Sequence, residues 1–340
     1  MQGLLQKAMS MPTSRIDPDI EKALQGLPAD FAGFDRVFEE RLRPELQRME
    51  QTRQVAAQKA KRGYKTGGAI AVLGIVGAFL LNQLGSQGAP VIIGIASILA
   101  GLVTSITMGG DLRKIGKQAK TLIVMPIAEE FGLLFEEHPG PQASIEDFRA
   151  ANLVTNWDRS AYEDRVTGER AGVPFSFFEA HLEEKRVTRN SKGQTQTRWV
   201  TVFRGQCLRF GFHKDFYGRT LVARDAGFFN RFGGGSGMKI AKLEDPTFEK
   251  IFSVFTTDQV ESRYLLTPDI MQRFVDLEAA FHGGNMRCCF VDGEVLIAIE
   301  SGDMFEPGSL FTPLDNPERV RELLDDFAAI FHLIDAMSDD

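Results

Sequence analysis

The side chains able to do covalent or metal chemistry are few and scattered. Cysteine occurs three times, as Cys207 and the adjacent pair Cys288-Cys289. Neighbours in a strand point to opposite faces, so the pair is badly placed to chelate one ion. All three thiols read as small buried hydrophobes rather than as disulfides or ligands. The histidines His138, His181, His213, His282 and His332 stand alone, with no zinc- or iron-ligand spacing. His213 and Asp215 lie two apart near a turn, which is half of a proton relay or, more ordinarily, a surface histidine beside a turn acid. Glu294, Glu300 and Asp303 flank one hairpin and are the carboxylates a hydrolytic reading would use, though exposed strand ends carry such acids routinely. No catalytic set converges, and no cofactor or metal is expected.

Two further segments invite ligands. Phe228–Lys239 reads FFNRFGGGSGMK. A phosphate-binding P-loop needs Gly followed directly by Lys and Ser or Thr, and Gly237-Met238-Lys239 breaks that order. The glycines do not match a dinucleotide fold either. The segment Gly233–Gly237 is expected to be a flexible loop, whose Phe228, Phe229 and Phe232 could enter a membrane or grip a partner. Lys185–Lys192 (KRVTRNSK) is basic but covers a hairpin tip without interleaved aromatics. The chain is acidic overall, at −7, so nucleic acid is not an expected partner and a solvated turn is the ordinary reading.

The elements that carry these residues are dominated by one feature. Of 340 residues, those from 67 to 110 hold no Asp, Glu, Lys or Arg. Two apolar runs fill the stretch, Gly67–Leu84 and Ala89–Met108, joined by Gly85–Gly88. About 20 apolar residues span a bilayer core, and a tight helical hairpin satisfies its own backbone there. The reading is a two-helix transmembrane hairpin, with a buried hairpin of a large soluble core as the alternative. Gly67, Ala71, Gly74 and Ala78 on the first run, and Gly94, Ala96, Ala100, Gly101 and Ser105 on the second, suit close helix approach. That pattern fits packing within the hairpin or dimerisation, or simply the glycine content of membrane helices.

Basic residues flank the hairpin. Lys59, Lys61, Arg62 and Lys65 precede it, and Arg113, Lys114, Lys117 and Lys120 follow. Such residues are retained in the cytoplasm, so both termini are expected there, in a multi-pass protein of the cell inner membrane. This collar is also suited to anionic headgroups. Met1–Arg15 lacks the apolar core and cleavage site of a secretory signal.

Residues 1–30 contain Pro12, Pro18 and Pro28 and read as weakly ordered. Residues 31–66 read as an amphipathic juxtamembrane helix on Phe31, Phe34, Val37, Phe38, Leu42, Leu46 and Met49, with a kink or split at Pro44. Residues 110–137 read as a second such helix, with a break at Pro126. Residues 138–340 read as a mostly antiparallel α+β cytoplasmic domain. Its strands are Tyr162–Val166, Val173–Arg189, Arg198–Phe210, Thr220–Ala223, Lys239–Leu243 and Ile251–Thr256. Met286–Val291 and Val295–Ile299 join through Asp292-Gly293 as a tight hairpin. Helices are expected over Ser144–Ala151, Pro268–Phe281 and Asn316–Met337. The alternative is a strand-rich barrel closed by the C-terminal helix.

Three segments together resemble an uncharacterised family of bacterial membrane proteins, domain of unknown function 3137. They are Tyr162–Glu183 (YEDRVTGERAGVPFSFFEAHLE), Val202–Asp225 (VFRGQCLRFGFHKDFYGRTLVARD) and Phe252–Pro268 (FSVFTTDQVESRYLLTP). Tyr264–Pro268 is the most particular piece, and the likeness spans roughly residues 35–305. The resemblance implies a membrane hairpin followed by a cytoplasmic domain and carries no catalytic residues. The expected function is a membrane-anchored binding or regulatory module acting on a protein partner. A membrane-tethered enzyme and a homo-oligomeric scaffold, self-associating through the spans, are the alternatives. A polar pocket holding paired carboxylates or a histidine would favour the enzyme.

Overall fold

In the computed structural model the described residues are 29–85, 88–142, 144–189, 195–224, 237–280, 285–306 and 308–338. The chain divides into two compact units, one of Met1–Ile123 with Pro307–Asp325 and one of Val124–Glu306 with Asp326–Asp340.

The first unit is helical. Phe34–Val37 makes one α turn and Phe38–Leu42 a π turn, leading into helix α1, Arg43–Gln83. Proline suits the first helical positions because the N–H it lacks would be unsatisfied there. The interruption expected at Pro44 is therefore a π turn ahead of the proline. Phe31, Phe34, Phe38, Leu42 and Leu46 are buried, as the helical spacing requires. Helix α2 runs over Ala89–Glu130 and contains Pro126, which was expected to break it. The proline removes one hydrogen bond near the end of the helix. Ile123, Val124, Ile127 and Ala128 are buried on either side of it, and from Val124 onward the helix belongs to the second unit.

Among the described residues the second unit is built on nine antiparallel strands. They are β1 (Leu134–Glu136), β2 (Arg159–Arg170), β3 (Val173–Arg189), β4 (Thr195–Gly211), β5 (Thr220–Arg224), β6 (Lys239–Ala241), β7 (Phe252–Thr256), β8 (Asn285–Val291) and β9 (Glu294–Glu300). Their order is β1-β2-β3-β4-β9-β8-β5-β7-β6. The ends of that order do not pair, so the sheet is open and the barrel alternative is overturned. The two edges, β1 and β6, are three residues long each, a length that offers little template for stray pairing. The Asp292-Gly293 turn has φ of 53° and 78°, the left-handed pair that a two-residue hairpin demands.

Both faces of the sheet are covered. Phe177 and Phe178 are neighbours in β3, point opposite ways, and are both buried. Phe178 meets Phe148 of helix α3 (Ile145–Ala150), at 5.9 Å between ring centroids. Phe177 meets Phe305 at 5.8 Å, and Phe305 meets Phe327 at 4.7 Å. Phe327 belongs to the C-terminal helix Pro317–Ser338. Helices α4 (Pro246–Ile251), α5 (Gln259–Leu265) and α6 (Pro268–Ala280) belong to this unit. The C-terminal helix, α7, contributes to it from Asp326 onward, its residues up to Asp325 belonging to the first unit.

Candidate functional site

The uncharged middle of α1 and α2 makes one feature with the residues that flank it. Both helices are long and apolar enough to cross a membrane, and only 6% of each apolar window is buried within the protein. Leu73, Phe79, Leu80, Val91, Ile92 and Leu102 are all more than half exposed. What holds the helices together is the small-residue pattern. A Cβ placed on Gly67 would sit 2.4 Å from the Gly101 carbonyl oxygen, and one on Gly74 would sit 2.0 Å from Ser97 Oγ. Backbones this close leave no room for side chains, which is how helices associate where lipid supplies no hydrophobic drive. Ala71, Ala78 and Gly94 share this contact, whereas Ala96 and Ala100 face outward.

The basic residues on either side are not equivalent. Lys59 Nζ lies 2.6 Å from Asp111 Oδ2 and so ties α1 to α2. The hydrogen bond and charge of Lys59 hold the Asp111 carboxyl below its usual range. Lys61 lies over the Phe311 ring, 5.4 Å from its centroid. Arg62, Lys65, Arg113, Lys114 and Lys117 are exposed, and Lys120 is buried.

A feature that residue spacing did not disclose lies in the same unit. Arg53 is buried, donates through Nε and Nη2 to the two oxygens of Glu50 (2.8 and 2.6 Å), and gives Nη1 to the Leu310 carbonyl at 3.0 Å. Glu50 also accepts from Leu314 N at 3.0 Å. The side chain of Leu310 occupies the space where a Cβ on Gly116 would lie. Phe311 meets Tyr64 edge-on at 6.4 Å. Residues 310–314 thus form a strap across α1, next to the point where it turns apolar. Only the i,i+3 spacing of Glu50 and Arg53 hinted at it, and that spacing is commonplace on helices.

In the sheet unit, the acids named from the sequence are each held by a partner. Glu294 pairs with Arg209 at 3.0 and 2.5 Å. Asp303 pairs with Arg204 at 3.2 and 2.6 Å. Glu300 accepts from Asn285 at 2.9 Å and lies 3.7 Å from Arg287. Asp303 and Arg204 line a cleft of about 110 Å³ with Glu163, Glu179 and His181. Acid–histidine sets of that kind suit proton transfer, but ligand pockets run to roughly 300–1,000 Å³. Glu179 is buried and accepts from Met304 N, while His181 Nε2 meets Thr201 Oγ1 at 2.9 Å. Glu179 and Arg204 thus fix the Gly302–Phe305 turn against β3 and β4, and the His181 contact ties those two strands together. At the cleft, Gly205 has φ of 152°, and a Cβ there would lie 1.9 Å from the Ile299 carbonyl oxygen.

Cys207, Cys288 and Cys289 are free and buried. Burial raises all three thiols, Cys289 to about 11, which leaves them protonated and inert at neutral pH. Among the described residues, no three His, Cys, Asp or Glu side chains group as a metal site. Phe228, Phe229 and Phe232, most of the segment Gly233–Gly237, and His282 lie outside the described residues.

These features define an α+β protein with an open antiparallel sheet unit and a helical unit bearing two exposed apolar helices. A family model described as "Protein of unknown function (DUF3137)" matches residues 201–338. The match includes Val202–Asp225 and Phe252–Pro268, extends beyond the resemblance at its C-terminal end, and leaves Tyr162–Glu183 outside. No curated protein matches the chain. The chain also aligns with the crystal structure of the mycobacterial trehalose monomycolate transport factor A, TtfA, at 8% identity, covering 62% of this chain and 96% of that one, with a TM-score of 0.34.

Proposed function

We propose that this chain is a membrane-anchored binding module of a bacterial inner membrane, with both termini and the sheet unit in the cytoplasm. One observation carries the reading: the apolar middle of α1 and α2 is uncharged and exposed along its length. In water, apolar surface costs about 25 cal/mol per Å², so side chains such as Leu73, Val91 and Ile92 need a nonaqueous surrounding. The basic collar orients the hairpin with its turn on the far side. Binding is favoured over catalysis because the candidate acids are engaged by arginines and the polar cleft is small. The small residues that would build an oligomer are largely consumed between α1 and α2.

Membrane fractionation tests the anchor. The chain should stay in the pellet after alkaline carbonate washing. A cysteine introduced at Gly88 should react with an impermeant maleimide in intact cells, and one at Gln58 only after lysis. The buried native thiols keep the background low. Extraction by carbonate, or labelling at Gln58 in intact cells, would overturn the reading.

A further inference from the structure

Strands β3 and β4 run past the rest of the sheet. Strand β2 stops pairing at Arg159↔Glu183, whereas β3 and β4 stay paired from Glu184↔Val200 to Arg189↔Thr195. Beyond Glu183 they form a two-stranded ribbon, with no third strand beside it among the described residues. Such a ribbon buries little and is at best marginally stable in water, so its surface chemistry calls for an explanation. The described residues of the ribbon carry Lys185, Arg186, Arg189 and Arg198 against the single acid Glu184, in a chain of net charge −7. Arg186 stands directly opposite Arg198 on one face, where Glu184 accepts from Arg186 Nε at 2.9 Å and partly offsets the like-charge pairing.

The two faces differ. Lys185 pairs with Trp199, Val187 with Thr197 and Arg189 with Thr195, which puts these six on one side. Val187 is 58% exposed and Trp199 40%. Arg159 stacks over the Trp199 ring at 4.1 Å, itself bridged to Glu183 at 2.5 Å. An indole and a valine between a lysine and an arginine match the headgroup level of a membrane. There aromatic rings settle at the interface, and basic groups meet anionic lipid.

We infer that this face of the β3–β4 ribbon binds an anionic phospholipid surface. The inference rests on the membrane-anchored reading, since an anchored chain meets that surface intramolecularly and at high effective concentration. Acidic protein would satisfy the charges but gives Val187 no reason to be exposed between them. An anionic bilayer satisfies both.

Trp199 is its own reporter. The full chain carrying W157F, which leaves one indole, is placed in nanodiscs of phosphatidylcholine, with or without phosphatidylglycerol, whose acyl chains are brominated. Trp199 emission should shift to the blue and be quenched in the phosphatidylglycerol discs only. High salt should reverse the effect, because exposed charges are screened beyond a few ångströms. K185Q/R189Q should weaken it by roughly fivefold for each charge removed. Salt reversal needs no ribbon variant, so misfolding of the double mutant does not blunt the test. Co-elution of the chain with the discs reports the anchor separately. If the chain co-elutes and Trp199 emission is identical in both discs, or stays quenched at high salt, the inference fails while the anchor stands. A chain that does not co-elute defeats the anchor.

Discussion

Glu50 accepts hydrogen bonds from Arg53 Nε and Nη2, from Gln54 Nε2 and from Leu314 N. The Arg53 hydrogen bonds, with those of Leu314 and Gln54 and the Arg53 charge, outweigh the cost of burial and lower its pKa from 4.5 to about 2. The sign of the linkage follows. A carboxylate whose pKa is depressed by folding stabilises the native state above its unfolded value, and that stability fades as pH falls from about 4.5 towards 2. Detergent-solubilised wild type should lose more thermal stability than E50Q between pH 7 and pH 3, since the amide has nothing to titrate. Equal losses in paired melts would remove Glu50 from the acid limb. Little of this was legible in residue types. The cysteines were, because free thiols without a ligand or disulfide pattern are ordinarily buried small hydrophobes. Glu294, Glu300 and Asp303 were visible as acids, but their arginine partners stand 13 to 99 positions away, and strand register, with the turn after β9 for Asp303, brings them together.

Whole elements were easier to read than their partners. Val173–Arg189 was placed to the residue, and the Asp292-Gly293 hairpin was recognised from two turn residues. Helix α5 was not identified, although Asp258 caps it by accepting from Val260 N and Glu261 N. Its seven residues are too few to display a periodic stripe. The small-residue pattern in the apolar runs left hairpin packing, dimerisation and the ordinary glycine content of membrane helices open, and in the structure Gly67, Gly74 and Gly101 pack within the hairpin. That assignment makes a prediction at the scale of the two helices. A Cβ on Gly94 would approach the Cβ of Ala78 to 3.7 Å, inside the range a disulfide bridges. Cysteines at both positions should therefore cross-link within one chain under copper phenanthroline, giving a faster-migrating monomer. Adding G101V should suppress the bridge, because its Cβ would meet the Gly67 carbonyl oxygen at 2.3 Å. Cross-linking that survives G101V, or that yields only dimers, would move the small residues to an interface between chains.

At the scale of the molecule, compactness does not follow chain order. Residues 307–325 belong with the N-terminal helices, and 326–340 with the sheet. The reason lies in what each stretch satisfies. In the helical unit, buried Arg319 gives Nη2 to Ser309 O at 2.8 Å and to Thr312 Oγ1 at 2.9 Å, and so shapes the strap that Glu50 and Arg53 hold. In the sheet unit, Phe305 N donates to Asp326 at 2.8 Å, Phe327 packs on Phe305, and Arg170 pairs with Asp335 at 2.8 and 2.5 Å. One amphipathic C-terminal segment therefore closes two cores. Amphipathicity announces that a helix will be buried, but not in which of two units. Truncation after Glu306 removes no strand, yet it uncovers Phe177 and Phe305 on one face of the sheet. Losing a buried phenylalanine alone costs about 3–5 kcal/mol, a large part of a domain's typical 5–15. The truncated chain should consequently give sheet-unit fragments that trypsin degrades rapidly, whereas the full chain keeps a resistant core under the same digestion. Equal resistance would show that the sheet folds without its C-terminal cover.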